Sequence, residues 1–316
     1  MGGKDTDFAM QPGGLTGAST DPTYAGVTSF MRRKYTKEVA GADAVVWGIP
    51  LDVTVTNRPG TRFGPQAIRR ASAIFDNDPQ YPFSMDLFAS MAVADYGDCG
   101  FDLGRPWEVT DLIENEARQL IEGGAYLLSL GGDHYGTWPL LKAHADLHGP
   151  LALIQFDAHQ DTWEDDGERL DHGSFVTRAV RDGIIDPDRS IQIGIRTIAP
   201  EDYGIEILFG DDVDEMNPKA IADAIKERVG ASPCYISFDI DCLDPAFAPG
   251  TGTPVAGGPS SAKMLSVLRR LGSLDIKGSD IMEVSPPYDH ADITAIAAAT
   301  VAMYMLGLQA ERLAGG

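Results

Sequence analysis

Apolar runs of strand length recur along the chain: Ala44 to Ile49, Met91 to Asp95, Tyr126 to Leu130, Leu151 to Phe156, Ile191 to Ile195, Tyr235 to Phe238 and Ile276 to Val284. Most are apolar almost throughout, as in strands buried on both faces. Stretches of helical spacing lie between them. Val109, Leu112, Ile113, Ala117, Leu120 and Ile121 share a helix face, and Gly123 and Gly124 stop it. Thr137 to His148, Ser174 to Arg181 and Ser261 to Leu271 read as further helices, and Pro65 opens one over Gln66 to Ser72. Asn217, Pro218 and Gly230 bracket another as N-cap, first residue and stop. Ile293 to Leu308 is the most apolar segment. It is Ala-rich and too short to span a bilayer, which predicts a core helix.

This alternation predicts an α/β fold with a mostly parallel sheet and helices on both faces. No repeat or linker divides it, so 31–316 is expected to form one domain. Residues 1–30 start with a polar, Gly-, Asp- and Thr-rich stretch, expected to be an N-terminal arm, either flexible or in contact with a neighbouring subunit. Phe30, Met31 and Tyr35 are candidate anchors.

The 316 residues are 43% hydrophobic, enough for the core of one large domain. Net charge is −22, from 47 acidic and 25 basic residues. That disfavours nucleic acid and anionic membranes as partners and favours a small cation. Only eight of the basic residues are lysine, so the acid surplus also fits salt adaptation. Cys99, Cys234 and Cys242 form no CxxC pair, and Met1 to Gly14 holds no apolar secretory stretch; both favour a cytoplasmic protein. Cys242 reads as a small buried hydrophobe.

Three of the strand-like runs end in metal-type ligands. Leu151 to Phe156 leads into Asp157, His159 and Asp161, which alternate with Ala158 and Gln160 and would share one face of an extended chain. Tyr235 to Phe238 leads into Asp239 and Asp241, and Tyr126 to Leu130 into Asp133 and His134. In one parallel sheet these ends share the edge where open α/β sheets bind ligands. His134, Asp157, His159, Asp161, Asp239 and Asp241 carry four negative charges with neutral imidazoles. Two divalent cations would balance them. Oxygen-rich sites with imidazole suit Mn²⁺ or Mg²⁺ better than Zn²⁺. Two adjacent metals lower the pKa of a shared water and make hydroxide at neutral pH.

Gly-Gly-Asp-His at 131–134, Asp-Ala-His-Gln-Asp-Thr at 157–162 and Ser-Phe-Asp-Ile-Asp-Cys-Leu-Asp-Pro at 237–245 resemble the three signatures of the ureohydrolases, the arginase, agmatinase and guanidinobutyrase family. The resemblance runs from about Val45 to Leu308 and is nearest the bacterial agmatinase branch. It implies the three-layer α-β-α arginase fold, homotrimers or homohexamers, and two Mn²⁺ per subunit held by those six residues. It also implies hydrolysis of agmatine to putrescine and urea, a step of polyamine biosynthesis, or action on 4-guanidinobutanoate or another guanidino acid. A silent, ligand-binding paralogue would have lost a ligand, His172 or Glu283, and all eight are present. A deacetylase-like metalloenzyme does not fit the pairing of D-x-H-x-D with D-x-D plus Glu283.

Hydrolysing a guanidinium also needs a partner for the cation and a proton donor for the leaving amine. Glu283 ends the last strand on the same edge and can accept two N–H bonds. His172, in Asp-His-Gly-Ser after the ligand loop, suits proton transfer near neutral pH, and the resemblance implies a shuttle there. Asp133 and Asp244 read as residues that orient ligands or cap turns. Arg58 and Arg62 read as structural, and His144, His148 and His290 as surface. The loop Thr162 to His172 carries Glu164, Asp165, Asp166, Glu168 and Asp171, which would repel a carboxylate tail and attract an ammonium, with Trp163 available to pack on methylenes. Val255-Ala256 stands where many agmatinases have Glu, which leaves the tail of the substrate open.

Overall fold

A computed structural model describes residues 14–17, 22–75 and 79–315 of the chain. Its strands are β1 (Lys34–Tyr35), β2 (Ala44–Ile49), β3 (Val93–Asp98), β4 (Tyr126–Gly131), β5 (Ala152–Phe156), β6 (Ile191–Ile195), β7 (Glu206–Phe209), β8 (Pro233–Asp239) and β9 (Asp275–Met282). They form one sheet in the order β1-β3-β2-β4-β9-β8-β5-β6-β7, and every ladder is parallel. The helices are α1 (Gly64–Ser72), α2 (Leu87–Ser90), α3 (Val109–Ile121), α4 (Thr137–His148), α5 (Phe175–Arg181), α6 (Gly210–Glu215), α7 (Pro218–Val229), α8 (Ser261–Leu268) and α9 (Ile293–Gly315).

The apolar runs are continuous because both faces of the sheet are covered. In β2, Ala44 and Val46 join a core under α1, α7, α8 and α9, while Val45, Trp47 and Ile49 join a second core under α3, α4 and α5. This is the expected three-layer α/β architecture. Asn217 caps α7 through Lys219 and Ala220, as its sequence context predicts.

Some expectations change. The strand expected from Met91 starts at Val93, and α8 stops at Leu268 instead of Leu271. Helix α9 runs on to Gly315 and so reaches spanning length, but 83% of its most apolar window is buried in the protein. It packs as core, as its composition predicts. Two edge strands, β1 and β7, were not expected. The arm expected over 1–30 lies partly outside the described residues. Of its described part, Phe30 is buried, and the Leu15 carbonyl accepts a bond from Val93 N–H. Met31 is buried too, whereas Tyr35 is half exposed.

Candidate metal centre and substrate pocket

Four adjacent strands, β4, β9, β8 and β5, deliver the candidate ligands and Glu283 at their carboxyl ends, and His172 lies one loop beyond β5. Tight turns after the strands, not an extended alternation, bring the side chains together. Asp157 follows β5 and accepts the His159 N–H at 2.7 Å, which folds the chain back. Asp161 then takes a left-handed backbone with φ 51°. Asp239 ends β8 and accepts the Asp241 N–H at 2.8 Å across the 3₁₀ turn Ile240–Cys242. His134 opens a short 3₁₀ turn before α4. Gly132 beside it approaches Leu51 so closely that a Cβ would meet the Leu51 carbonyl oxygen at 2.0 Å.

The outcome is two clusters that share one carboxylate. His134 Nδ1 lies 3.1 Å from Asp157 Oδ2, 3.2 Å from Asp161 Oδ2 and 3.1 Å from Asp239 Oδ2. His159 Nδ1 lies 3.5 Å from Asp157 Oδ1 and 3.1 Å from Asp241 Oδ2. Each oxygen of Asp157 thus faces a different imidazole. His134, Asp157 and Asp239 have ligand atoms close enough to hold one ion, as do Asp157, His159 and Asp241.

The electrostatics are unbalanced without added positive charge. Burial and the neighbouring Asp157 push the Asp161 carboxyl up to about 7, and burial with Asp241 raises Asp239 well above the carboxylate range. Burial alone would lower His159, but Asp241 and Asp157 outweigh it and hold the imidazolium to about 12. His134 Nδ1 is buried with three carboxylate oxygens converging on it within 3.2 Å. An imidazole nitrogen and oxygens converging in this way fit a hard divalent cation. The other ring nitrogen is fixed: His134 Nε2 meets Ser237 Oγ at 2.8 Å, and that hydroxyl donates to Asp280 Oδ1 at 2.7 Å. Asp280, raised by burial, also accepts from Thr137 and Tyr235. Such partners fix the tautomer of a ligating histidine. Sequence reasoning missed Asp280; its signal was an acid three residues before Glu283, in the buried end of β9.

Glu283 follows β9 with φ 64°. For residues other than Gly this conformation costs roughly 1–3 kcal/mol, as it does for Asp161, and such strain concentrates at functional sites. Glu283 is 1% exposed. Its Oε1 accepts from His134 N–H at 2.9 Å and pairs with His172 Nδ1 at 3.0 Å, whereas Oε2 is buried with no partner among the described residues. Burial pulls the His172 imidazolium down, but the Glu283 carboxylate outweighs it and raises the ring to about 9. His172 Nε2 meets Thr56 Oγ1 at 3.0 Å, a contact that sequence reasoning also missed. A cavity of about 520 Å³ opens over Thr56, His172 and the ligand cluster, with Trp163, Glu164, Arg169, Asp171 and Thr253 on its walls and Glu283 buried behind His172.

The acidic loop does less than its composition predicts. Asp165 is buried in a two-bond pair with Arg178, at 2.5 and 3.0 Å. Asp166 accepts the N–H groups of Glu168 and Arg169, and Asp171 pairs with Arg169 at 2.9 Å. Glu168 is exposed and does not line the cavity. Glu164 is the remaining acid, exposed and on the cavity wall.

Asp133 and Asp244 cap turns: Asp133 accepts from Val53 N, Thr54 N and Thr54 Oγ1, and Asp244 from Ala246, Gly257 and Gly258. Arg62 pairs with Asp52. Cys242 is buried, with Sγ 3.5 Å from the Ile193 carbonyl. His148 and His290 are exposed. His144, expected at the surface, is instead fully buried against Tyr235; burial lowers it to about 4, so it stays neutral.

The arginase family profile matches residues 42–307. The agmatinase of Chromobacterium violaceum is 49% identical over 98% of this chain and 97% of its own length. That of Neisseria meningitidis serogroup C is 48% identical over 86% and 88%. The crystal structure of a hypothetical agmatinase from Burkholderia thailandensis superposes with a TM-score of 0.97, at 50% identity, covering 99% of this chain and all of the other. Proclavaminate amidino hydrolase from Streptomyces clavuligerus gives a TM-score of 0.87 at 39% identity, covering 92% and 99%.

Proposed function

Because the chain belongs to the arginase family, we propose that it is a manganese-dependent amidinohydrolase that converts agmatine and water to putrescine and urea. His134, Asp157, His159, Asp161, Asp239 and Asp241 would hold two Mn²⁺ ions, with Asp157 common to both. Bound there, the ions supply the positive charge the carboxylates lack and lower the pKa of water enough to make a nucleophile at neutral pH.

The buried Oε2 of Glu283, without a partner among the described residues, lies beside these side chains and carries the reading. A buried carboxylate oxygen is costly without a donor, and a guanidinium entering the cavity offers charged N–H groups in a planar fork. Glu283 then holds the guanidinium carbon over the ligand cluster. As C–O forms and C–N breaks, the His172 imidazolium gives its proton to the leaving nitrogen. The Glu283 carboxylate on Nδ1 favours keeping that proton on the ring.

Glu164 on the cavity wall favours a tail ending in an ammonium. A second reading, hydrolysis of a guanidino acid, has Arg169 on the same wall in its favour, although Asp171 already partners it. The proposal includes one catalytic domain over 31–316 with 1–30 as a subunit-contacting arm, and a cytoplasmic homotrimer or homohexamer. Urea release from agmatine, arginine and 4-guanidinobutanoate tests the substrate. One charge pair at 4 Å and effective ε near 20 is worth about 4 kcal/mol before solvent losses. A quarter of that, with opposite sign for the two tails, gives agmatine roughly thirtyfold higher kcat/KM than 4-guanidinobutanoate. A higher value for a guanidino acid would move the assignment to the second reading.

A further inference from the structure

The proton donor His172 must keep its place while it changes protonation state, and Thr56 is built to hold it. The ring has one partner on each nitrogen: Glu283 Oε1 at 3.0 Å from Nδ1 and Thr56 Oγ1 at 3.0 Å from Nε2. A carboxylate only accepts, so Nδ1 carries a hydrogen in both states of the ring. Nε2 is therefore the nitrogen that gains and loses the proton. Its partner must accept from N–H when the ring is charged and donate to the lone pair when it is neutral. A hydroxyl does both by rotating about its C–O bond; a carboxylate or ammonium does one.

Thr56 stands in a braced loop beyond β2. Asp133 Oδ2 takes the Val53 and Thr54 N–H groups at 2.9 and 3.1 Å, Asp133 Oδ1 takes the Thr54 hydroxyl at 2.8 Å, and Asn57 Nδ2 donates to the Gly252 carbonyl at 3.0 Å. Thr56 itself faces the cavity. The loop is thus held on either side of the hydroxyl that touches His172.

We propose that Thr56 is a positioning residue for proton delivery, its hydroxyl holding Nε2 of His172 toward the cavity in both protonation states. The inference rests on the amidinohydrolase reading for its kinetic consequence and not for its structural one. Thr56→Val keeps the shape and removes the hydroxyl, and Thr56→Ser keeps the hydroxyl. Loss of a hydrogen bond to a charged group predicts a fall in kcat of roughly ten- to a hundredfold for Thr56→Val, with KM and Mn²⁺ content unchanged, and recovery in Thr56→Ser. Nitrogen-15 spectra of the His172 ring in the chelated protein supply a readout independent of catalysis: Thr56→Val should shift the Nε2 resonance and leave Nδ1 in place. A Thr56→Val enzyme within twofold of the wild type in kcat overturns the proposal, as does a Thr56→Ser enzyme as slow as Thr56→Val. If the wild type hydrolyses no guanidino compound, the functional reading fails instead, and an unchanged Nε2 signal in Thr56→Val then overturns the positioning claim by itself.

Discussion

Glu283 is where single-residue chemistry is most concentrated. One oxygen anchors the His134 backbone and the His172 ring, and the other is buried without a partner among the described residues. Glu283→Gln keeps the shape and removes the charge. Losing one partner of a buried, hydrogen-bonded charge pair costs about 2–5 kcal/mol, so kcat/KM should fall at least thirtyfold with the ions retained. A loss under tenfold would take Glu283 out of guanidinium binding. The same change tests His172. Its folded pKa, about 9, lies above the ordinary 6.5 because of Glu283. The pair therefore stabilises the chelated protein fully below pH 6.5, and that contribution is lost as pH rises through about 9. In Glu283→Gln, burial remains and the largest raising cause does not, so the ring should titrate lower than in the wild type. Proton NMR of the ring in both chelated proteins measures this.

Among the elements, the loop 162–171 separates composition from geometry. Its five acids predict a uniformly cation-seeking wall. The fold instead puts Asp165 in a buried pair with Arg178, pinning the loop to α5, and leaves Glu164 on the cavity. Asp165→Asn leaves Arg178 without a charged partner, a change that costs about 3–5 kcal/mol in buried pairs, and should lower the melting temperature for any substrate. Glu164→Gln should leave the melting temperature alone and narrow the agmatine preference, the more so at low salt. Equal preference in Glu164→Gln and the wild type would mean that Glu164 faces solvent only. Sequence could not separate these two acids because Arg178 is 13 residues from Asp165 and meets it only after α5 packs.

Across the whole molecule, legibility follows burial. β2, α3, α4, α7 and β6 lie where apolar spacing and caps put them, because each fills a core face. β1 has two residues and β7 four, a half-buried edge whose apolar run, Ile207 to Phe209, is shorter than those of the central strands. The six candidate ligands and Glu283 were legible because they sit at or just past strand ends that a parallel sheet gathers on one edge, and His172 because its Asp-His-Gly-Ser follows the ligand loop. Thr56 and Asp280 were not, since their roles depend on partners 116 and 43 residues away, His172 and Ser237. The net charge of −22 is a property of the whole surface. It raises the local concentration of any cationic substrate without choosing among them. The central claim, that this edge of the sheet is a two-ion amidinohydrolase site, is tested most directly by titrating Mn²⁺ into the chelated protein while following urea release from agmatine. The account predicts no urea before addition and a plateau near two equivalents per chain. Full activity in a demonstrably metal-free sample would contradict it.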